Sequence, residues 1–464
     1  MIQLPKQLCS LPGYWALGAV LLCGSTSALA QEPASIQTLD RQVDEAFRQV
    51  LKTPANLDVG LRYAHLLVAS GNYEGGVAAL ERLLLSSNPQ PSIRVELAVL
   101  YYRLGSYEMA ESLLRQALED SRLEGDPRTL AQTMLRDVSA RNQPSQLRGT
   151  LMIGVRQQSN PSARSDADQV FASGTLTPLT EVYKPKSDTD IQLTARLDHR
   201  YDLGWQNEAA VVSSLITQIT DYQSSSGRTL RTNQEKPYDL AWGELTTGIR
   251  FKPAPIELPS LRLRSYLILA ELAAQGHSYL NNRGLGLEAE YQFNEKTLAS
   301  MNYEYRNYHY SNRVDVPAAE QLSGPDHNLR LQLSRELAPG HLLSAELGLR
   351  QHQTGSTYYD YQGEELRLTY STSYISPLSG ATGGYWSSTA WAGTAQRRYG
   401  AADPNITANQ TRKDTDWRVG ISQSVPLIGN WSMLLQVEHV RTHSNLPNYQ
   451  AKNTSLMGAL AYRF

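Results

Sequence analysis

The sequence predicts a two-domain α+β chain: a short α-solenoid of tetratricopeptide repeats followed by a 14-stranded antiparallel transmembrane β-barrel. Three observations carry this. The residues from Ser455 to Phe464 alternate strictly and stop on an aromatic, with Leu456, Gly458, Leu460, Tyr462 and Phe464 on one face. The hydrophobic period changes from helical to two near residue 145. The links between the period-two segments alternate short and long, as periplasmic turns and external loops do in such barrels.

Residues 1–30 read as a signal peptide. Lys6 precedes an apolar run from Trp15 to Cys23, and Ala28, Leu29 and Ala30 form an A-x-A cleavage site before Gln31. The run is too short to span a bilayer, and Leu22 before Cys23 argues against a lipoprotein site. Both cysteines, Cys9 and Cys23, fall in this leader. The mature chain then has no thiol for a disulfide, a thiolate metal site or a nucleophile.

Residues 31–145 are expected to form a periplasmic helical domain. From Leu57 to about Ser139 the pattern is helical and repeats at 34 residues: Ala64 with Ala98, Gly71 with Gly105, Tyr73 with Tyr107, Leu80 with Leu114, Leu84 with Leu118. A small residue in the first helix, Gly at the turn and Tyr two later is the tetratricopeptide signature. The copy from Ala98 to Glu119 fits it closely, whereas the first has Gly76 and Leu83 where Ala is usual. Flanking helices are expected over 40–51 and 129–138, since stacked repeats need atypical ends. An unrelated pair of helical hairpins is the alternative.

Residues 146–464 are expected to form the barrel. Fourteen period-two segments lie near 148–157, 189–201, 206–219, 237–251, 260–273, 282–293, 297–309, 326–337, 341–351, 362–375, 384–396, 414–425, 430–442 and 453–464. Tight links are expected at 202–205, 294–296, 338–340 and 428–430, and long polar ones at 158–188, 221–235, 310–325 and 397–413. A mean hydropathy of −0.42 excludes a helical membrane protein but suits strands that are only half apolar. The 26 tyrosines against 5 phenylalanines suit a membrane interface. A soluble sandwich would give no reason for alternate links to be long. A last strand without a tail would be an exposed edge unless it pairs with the first, near Leu151. Tyr462 and Phe464 are thus expected at the closure, Phe464 also serving as the terminal aromatic read by the barrel-insertion machinery.

With the Leu, Tyr and Ala faces toward lipid, the opposite faces form a charged lumen. Its candidates are Arg196, Asp198 and Arg200; Glu304 and Arg306; Arg330; Glu346 and Arg350; Glu365 and Arg367; and Arg418 and Glu438. Such charges in lipid would cost several kcal/mol each, about 2–4 for a basic side chain at mid-bilayer. They read either as a hydrophilic conduit or as a network that stiffens the wall.

Catalysis is not expected. The nine histidines are scattered, with His309, His327, His439 and His443 near strand ends. No Gly-rich phosphate loop and no paired-His motif is present, so no cofactor and no metal are expected. With 43 basic and 45 acidic side chains there is no run of one sign, which argues against nucleic acid.

Leader, short repeat array and a 14-strand barrel ending on Phe together resemble the surface lipoprotein assembly modifiers. That resemblance implies an outer-membrane protein whose barrel moves proteins to the cell surface and whose periplasmic repeats contact the cargo. Exporters of secreted polysaccharide share both parts, usually with longer arrays and a larger barrel. In tetratricopeptide repeats, first-helix positions line the groove, here Asp58, Leu61 and His65, then Val95, Val99, Tyr102 and Arg103. Their mix suits an extended peptide better than sugar. Three readings stand: recruitment and surface assembly of a periplasmic or secreted protein, polysaccharide export, and a porin-like structural barrel. The expected partners are outer-membrane lipid, the insertion machinery and the cargo.

Overall fold

A computed structural model describes residues 36–464, except 55, 86–88, 206–207, 225–237 and 378–383. The leader read over 1–30 lies outside the described residues, as does most of the link at 221–235. The chain divides between Gln146 and Leu147 into two compact units.

The first unit holds six helices: α1 (Ile36–Lys52), α2 (Leu57–Ala69), α3 (Tyr73–Leu84), α4 (Pro91–Arg103), α5 (Tyr107–Glu119) and α6 (Gly125–Asn142). Their starts are set locally. The Asn56 side chain accepts from the amides of Asp58 and Val59, the Asn72 side chain accepts from Gly75, and Pro91 occupies the first turn of α4. Gly71 and Gly105 follow α2 and α4 with φ of +83° and +77°, the left-handed conformation that lets the chain reverse into the next helix. Ala64, Leu80, Ala98, Ala110 and Leu114 are essentially inaccessible where the helices cross. Asn142, Arg115 and Ser139 donate to Glu111 and hold its carboxyl down to about 2. This link from α5 to α6 contributes above the usual carboxylate range and is lost only as the pH falls through about 2.

The second unit is a closed barrel. Its strands are β1 (Ser145–Gln158), β4 (Asp188–Asp202), β5 (Ala210–Tyr222), β6 (Leu240–Phe251), β7 (Leu261–Ala274), β8 (His277–Asn294), β9 (Thr297–Tyr310), β10 (Gly324–Ala338), β11 (His341–His352), β12 (Tyr361–Ile375), β13 (Tyr385–Tyr399), β14 (Lys413–Pro426), β15 (Trp431–Ser444) and β16 (Ala451–Arg463). A separate hairpin, β2 (Gln169–Ala172) and β3 (Thr175–Pro178), sits within the first long loop. Neighbours in sequence pair antiparallel, and β1 pairs with β16 from Thr150 with Arg463 to Gln158 with Ser455. The Gly149 amide donates to the Phe464 carbonyl at 2.8 Å, and the Phe464 amide donates back at 3.0 Å. The Phe464 ring lies where a side chain at 149 would go: a Cβ there would meet it at 2.2 Å.

Four wide connections, 159–187, 223–239, 311–323 and 400–412, open from one end, here the loop end. The turns at 295–296 and 339–340 lie at the other. The exception is Gln275 and Gly276, a tight turn at the loop end where a link of 274–281 was expected. There β7 and β8 continue their ladder beyond a bulge at Leu272 and Ala273, because Tyr279 and Leu280 bury against a folded loop instead of ending in water.

Period two sorts the walls. Leu193, Leu267, Leu285, Leu333, Leu368, Ile421 and Leu460 face outward and exposed, an apolar band that water would not tolerate and a bilayer satisfies. Among the described residues no helix is long and apolar enough to cross a membrane; the strands do it. Tyrosine does not follow the expected face throughout. Tyr303, Tyr370 and Tyr462 point outward, but Tyr222, Tyr266, Tyr308 and Tyr361 point inward, where the phenols of Tyr222 and Tyr266 find polar partners.

Candidate functional site: the barrel lumen

The register places all twelve charged candidates on inward positions. The reason is parity: an inward residue in one strand fixes every second neighbour and its cross-strand partners. They are held in separate clusters. Arg306 bridges Glu304 on its own strand at 2.9 Å and Glu244 on β6 at 2.5 Å, and the Tyr266 hydroxyl donates to Glu304 at 2.7 Å. Arg196 grips Asp198 through Nε at 2.7 Å and Nη2 at 3.0 Å, with Ser214 donating to the same carboxylate. Arg200 pairs with Asp202 at 2.6 Å. Arg350 meets buried Asp326 at 2.7 Å, with His352 at 3.3 Å from it. Glu346 and Arg367 stand directly opposite, the Arg367 guanidinium lies 5.8 Å from the Trp391 ring centre, and the Trp391 indole donates to Glu438 at 3.3 Å. Arg330, Glu365 and Arg418 line the same wall.

Several residues of this wall escaped the sequence reading. Arg156 reaches buried Asp190 at 3.1 Å, Arg397 pairs with Asp416, and Arg412 pairs with Asp414 at 2.6 Å. Each lies on an inward parity position or beside one, so extending the parity rule to every strand was the signal available. Buried pairs of this kind are stable only when both partners stay, since a lone buried charge costs about 3–5 kcal/mol.

The lumen encloses a cavity of about 540 Å³ lined by Arg196, Arg306, Arg330, Arg350, Arg367 and Arg418 together with Trp242, Trp391, Tyr308 and Tyr361. Along the seam with β1 the inner wall is instead apolar: Met152, Met457, Ala459 and Ala461 cluster with Leu434. At the loop end, residues 311–323 fold inward. Val316, Ala319 and Leu322 bury against Leu272, Tyr279 and Tyr310, and Leu240, Trp242 and Tyr308 of the cavity wall pack on the same cluster. Buried Arg313 anchors the fold-back. It pairs with Asp315 at 2.9 Å, donates to the Ala274 carbonyl at 2.8 Å, and lies near the Tyr238 and Tyr279 rings. The loop therefore narrows that mouth.

In the helical unit, α2 and α4 lie side by side, joined by His65 and Glu96 at 2.7 Å, and the Tyr102 hydroxyl donates to Asp137 of α6 at 2.6 Å. Asp58, His65 and Arg103 are exposed, the Arg103 guanidinium lying 6.0 Å from the ring centre of Tyr73 on α3, while Leu61 and Val99 are half-buried. Val95 was expected to line a groove but is 2 % exposed, inside the core. Tyr102 is partly spent on packing, edge-on to Tyr107 at 5.5 Å.

A closed 14-strand barrel with an apolar exterior and a charged interior is an outer-membrane barrel. The model of the surface lipoprotein assembly modifier family matches residues 149–461, and the chain belongs to that family. Its role is thus that of an outer-membrane barrel in lipoprotein assembly or transport. No curated protein matches the sequence. Among solved structures, a bacterial polysaccharide outer membrane secretin is similar at 9% identity over 68% of this chain and 98% of its own, with a TM-score of 0.33. The outer membrane channel DcaP of Acinetobacter baumannii is similar at 12% identity over 69% and 97%, with a TM-score of 0.37. PcrH, in complex with the chaperone binding region of PopD, is similar at 20% identity over 23% and 81%, with a TM-score of 0.21.

Proposed function

We propose that the helical unit is a periplasmic tetratricopeptide domain that recruits a protein cargo, a lipoprotein destined for the surface, and passes it to or through the barrel. The protein acts by binding and transfer, without catalysis. The observation that carries this reading is the open face made by α2 and α4. There Asp58, His65 and Arg103 stand exposed around half-buried Leu61 and Val99, a mix of apolar and charged groups that fits an extended peptide. A photocrosslinker at Asp58 in cells should capture that cargo. Combining Asp58→Lys with Arg103→Glu should lower surface display of the captured protein at least fivefold, while the barrel still inserts and conducts. Tyr102 is left untouched because its bond to Asp137 makes it structural. Unchanged display with the helices folded would overturn cargo recruitment by this face.

In this reading the loop end faces outward. The chain has no cysteine beyond Cys9 and Cys23, so single cysteines report topology without interference. Ser173→Cys, exposed at the tip of the β2–β3 hairpin, should label with an impermeant maleimide on intact cells. Glu295→Cys, in the turn between β8 and β9, should label only after the outer membrane is opened. Equal labelling would overturn the orientation.

Polysaccharide export is the second reading, favoured by Trp242, Trp391, Tyr308 and Tyr361 on the cavity wall, which offer faces for sugar rings. Capture of a glycan and no protein by the crosslinker would select it.

A further inference from the structure

On the outer wall, where β13 to β16 approach the loop end, like charges face each other. Arg398 of β13 is directly opposite Lys413 of β14, and Arg441 of β15 is directly opposite Lys452 of β16. All four are exposed and stand on the outward parity of the register, with Lys452 also bordering the lumen cavity. Directly opposed like charges destabilise a sheet, and the acids nearby do not offset them. Glu364 is 3.7 Å from Arg398 with both side chains more than half exposed, and Asp166 is 4.0 Å from Lys452. Among the described residues Arg441 and Lys413 have no ion pair.

The depth of the patch is fixed independently. Going up the same strands, outward residues are apolar at Ile421, Val437 and Leu456. Above them come Val419, His439 and Thr454, and then Trp417, 54% exposed and directly opposite Arg441, with the cations at its level and above. An aromatic followed by cations marks the lipid headgroup region. Four strands about 4.8 Å apart, with cations from Lys413 to the level of Trp417 four residues on at about 3.4 Å each, make a patch roughly 14 Å across and 14 Å high. A lone phosphate is far smaller than that.

We infer that this wall binds the phosphorylated headgroup of an outer-leaflet glycolipid. Arg441 and Lys452 hold one phosphate, and Arg398 and Lys413 hold another, through charge-assisted hydrogen bonds. The bound lipid would supply the negative charge that the sheet lacks. The inference rests on the outward orientation of the loop end, but its test does not, because purified protein in neutral detergent has no orientation.

Native mass spectrometry of the full chain would titrate a bis-phosphorylated acyl-diglucosamine, its phosphate-free form and phosphatidylglycerol. The bis-phosphorylated lipid should bind at least tenfold more tightly than the other two. Combining Arg441→Gln with Lys452→Gln should weaken it tenfold or more, and Arg441→Gln alone, the milder variant, at least threefold. Arg283→Gln, outward on β8 and away from the patch, should change it less than twofold. Heat-modifiable migration on a gel verifies folding of each. Equal binding of phosphatidylglycerol or of the phosphate-free lipid would overturn the proposal, as would full binding by the double variant. If the lipid binds as expected in detergent while Ser173→Cys fails to label intact cells and Glu295→Cys labels them, the patch faces the periplasmic side and the outer-leaflet assignment is overturned.

Discussion

Replacing residues 313–320 with two glycines should raise single-channel conductance several-fold in planar bilayers and leave insertion intact. These residues pair with no barrel strand, so the ladder keeps every rung. What the deletion removes is the segment that carries Val316 and Ala319 into the mouth over Leu272 and Tyr310. A point change should act the same way to a lesser degree. Arg313→Ala would leave Asp315, 7% exposed, without its guanidinium, at a cost of about 3–5 kcal/mol. The loop relieves that by moving Asp315 into water, and the mouth widens. Conductance unchanged in both variants would mean that the constriction lies elsewhere in the lumen.

The second large effect concerns closure. A chain lacking Phe464 should show a several-fold lower heat-modifiable fraction, because the two backbone bonds to Gly149 and the ring seated over that glycine are lost together. The same loss would follow if insertion machinery merely read a terminal aromatic, so a second variant separates the causes. Gly149→Leu retains Phe464 and evicts its ring, since even a Cβ at 149 would stand 2.2 Å from the ring. Reduced insertion in both variants supports closure through this contact. Normal insertion of Gly149→Leu would leave recognition of the aromatic as the only role of Phe464.

The barrel was legible because a lipid-facing wall imposes period two on every strand, and the link lengths added an independent count. What failed to show was structure without a lipid face. The β2–β3 hairpin is short, lies within a loop and is held by contacts such as the Phe171 amide to Asn448, which no local pattern announces. Residues 311–323 read as polar and solvated, yet Arg313 and Asp315 are buried, since their surroundings come from Tyr238 before β6 and Tyr279 on β8, both distant in sequence. In the lumen, pairs two residues apart on one strand, such as Arg196 with Asp198, follow from parity alone. Pairs across strands, such as Arg306 with Glu244, need the register, and a single sequence does not contain it. Val95 was misplaced because its helical position matches a groove site in an ideal repeat, whereas here it belongs to the buried core of the helical unit.

The seam between β1 and β16 has a consequence for assembly order. Each hairpin joins strands close in sequence, whereas Gly149 and Phe464 are separated by almost the whole barrel. Bringing the ends of a chain of some 300 residues together costs roughly 5 kcal/mol of entropy by the logarithmic law, far more than closing a two-residue turn. Hairpins therefore form early and the seam last. Until then a nearly complete sheet presents two open edges, β1 and β16, to whatever lies beside it in the membrane. That open form ends only when the ladder from Thr150 with Arg463 to Gln158 with Ser455 closes the sheet on itself.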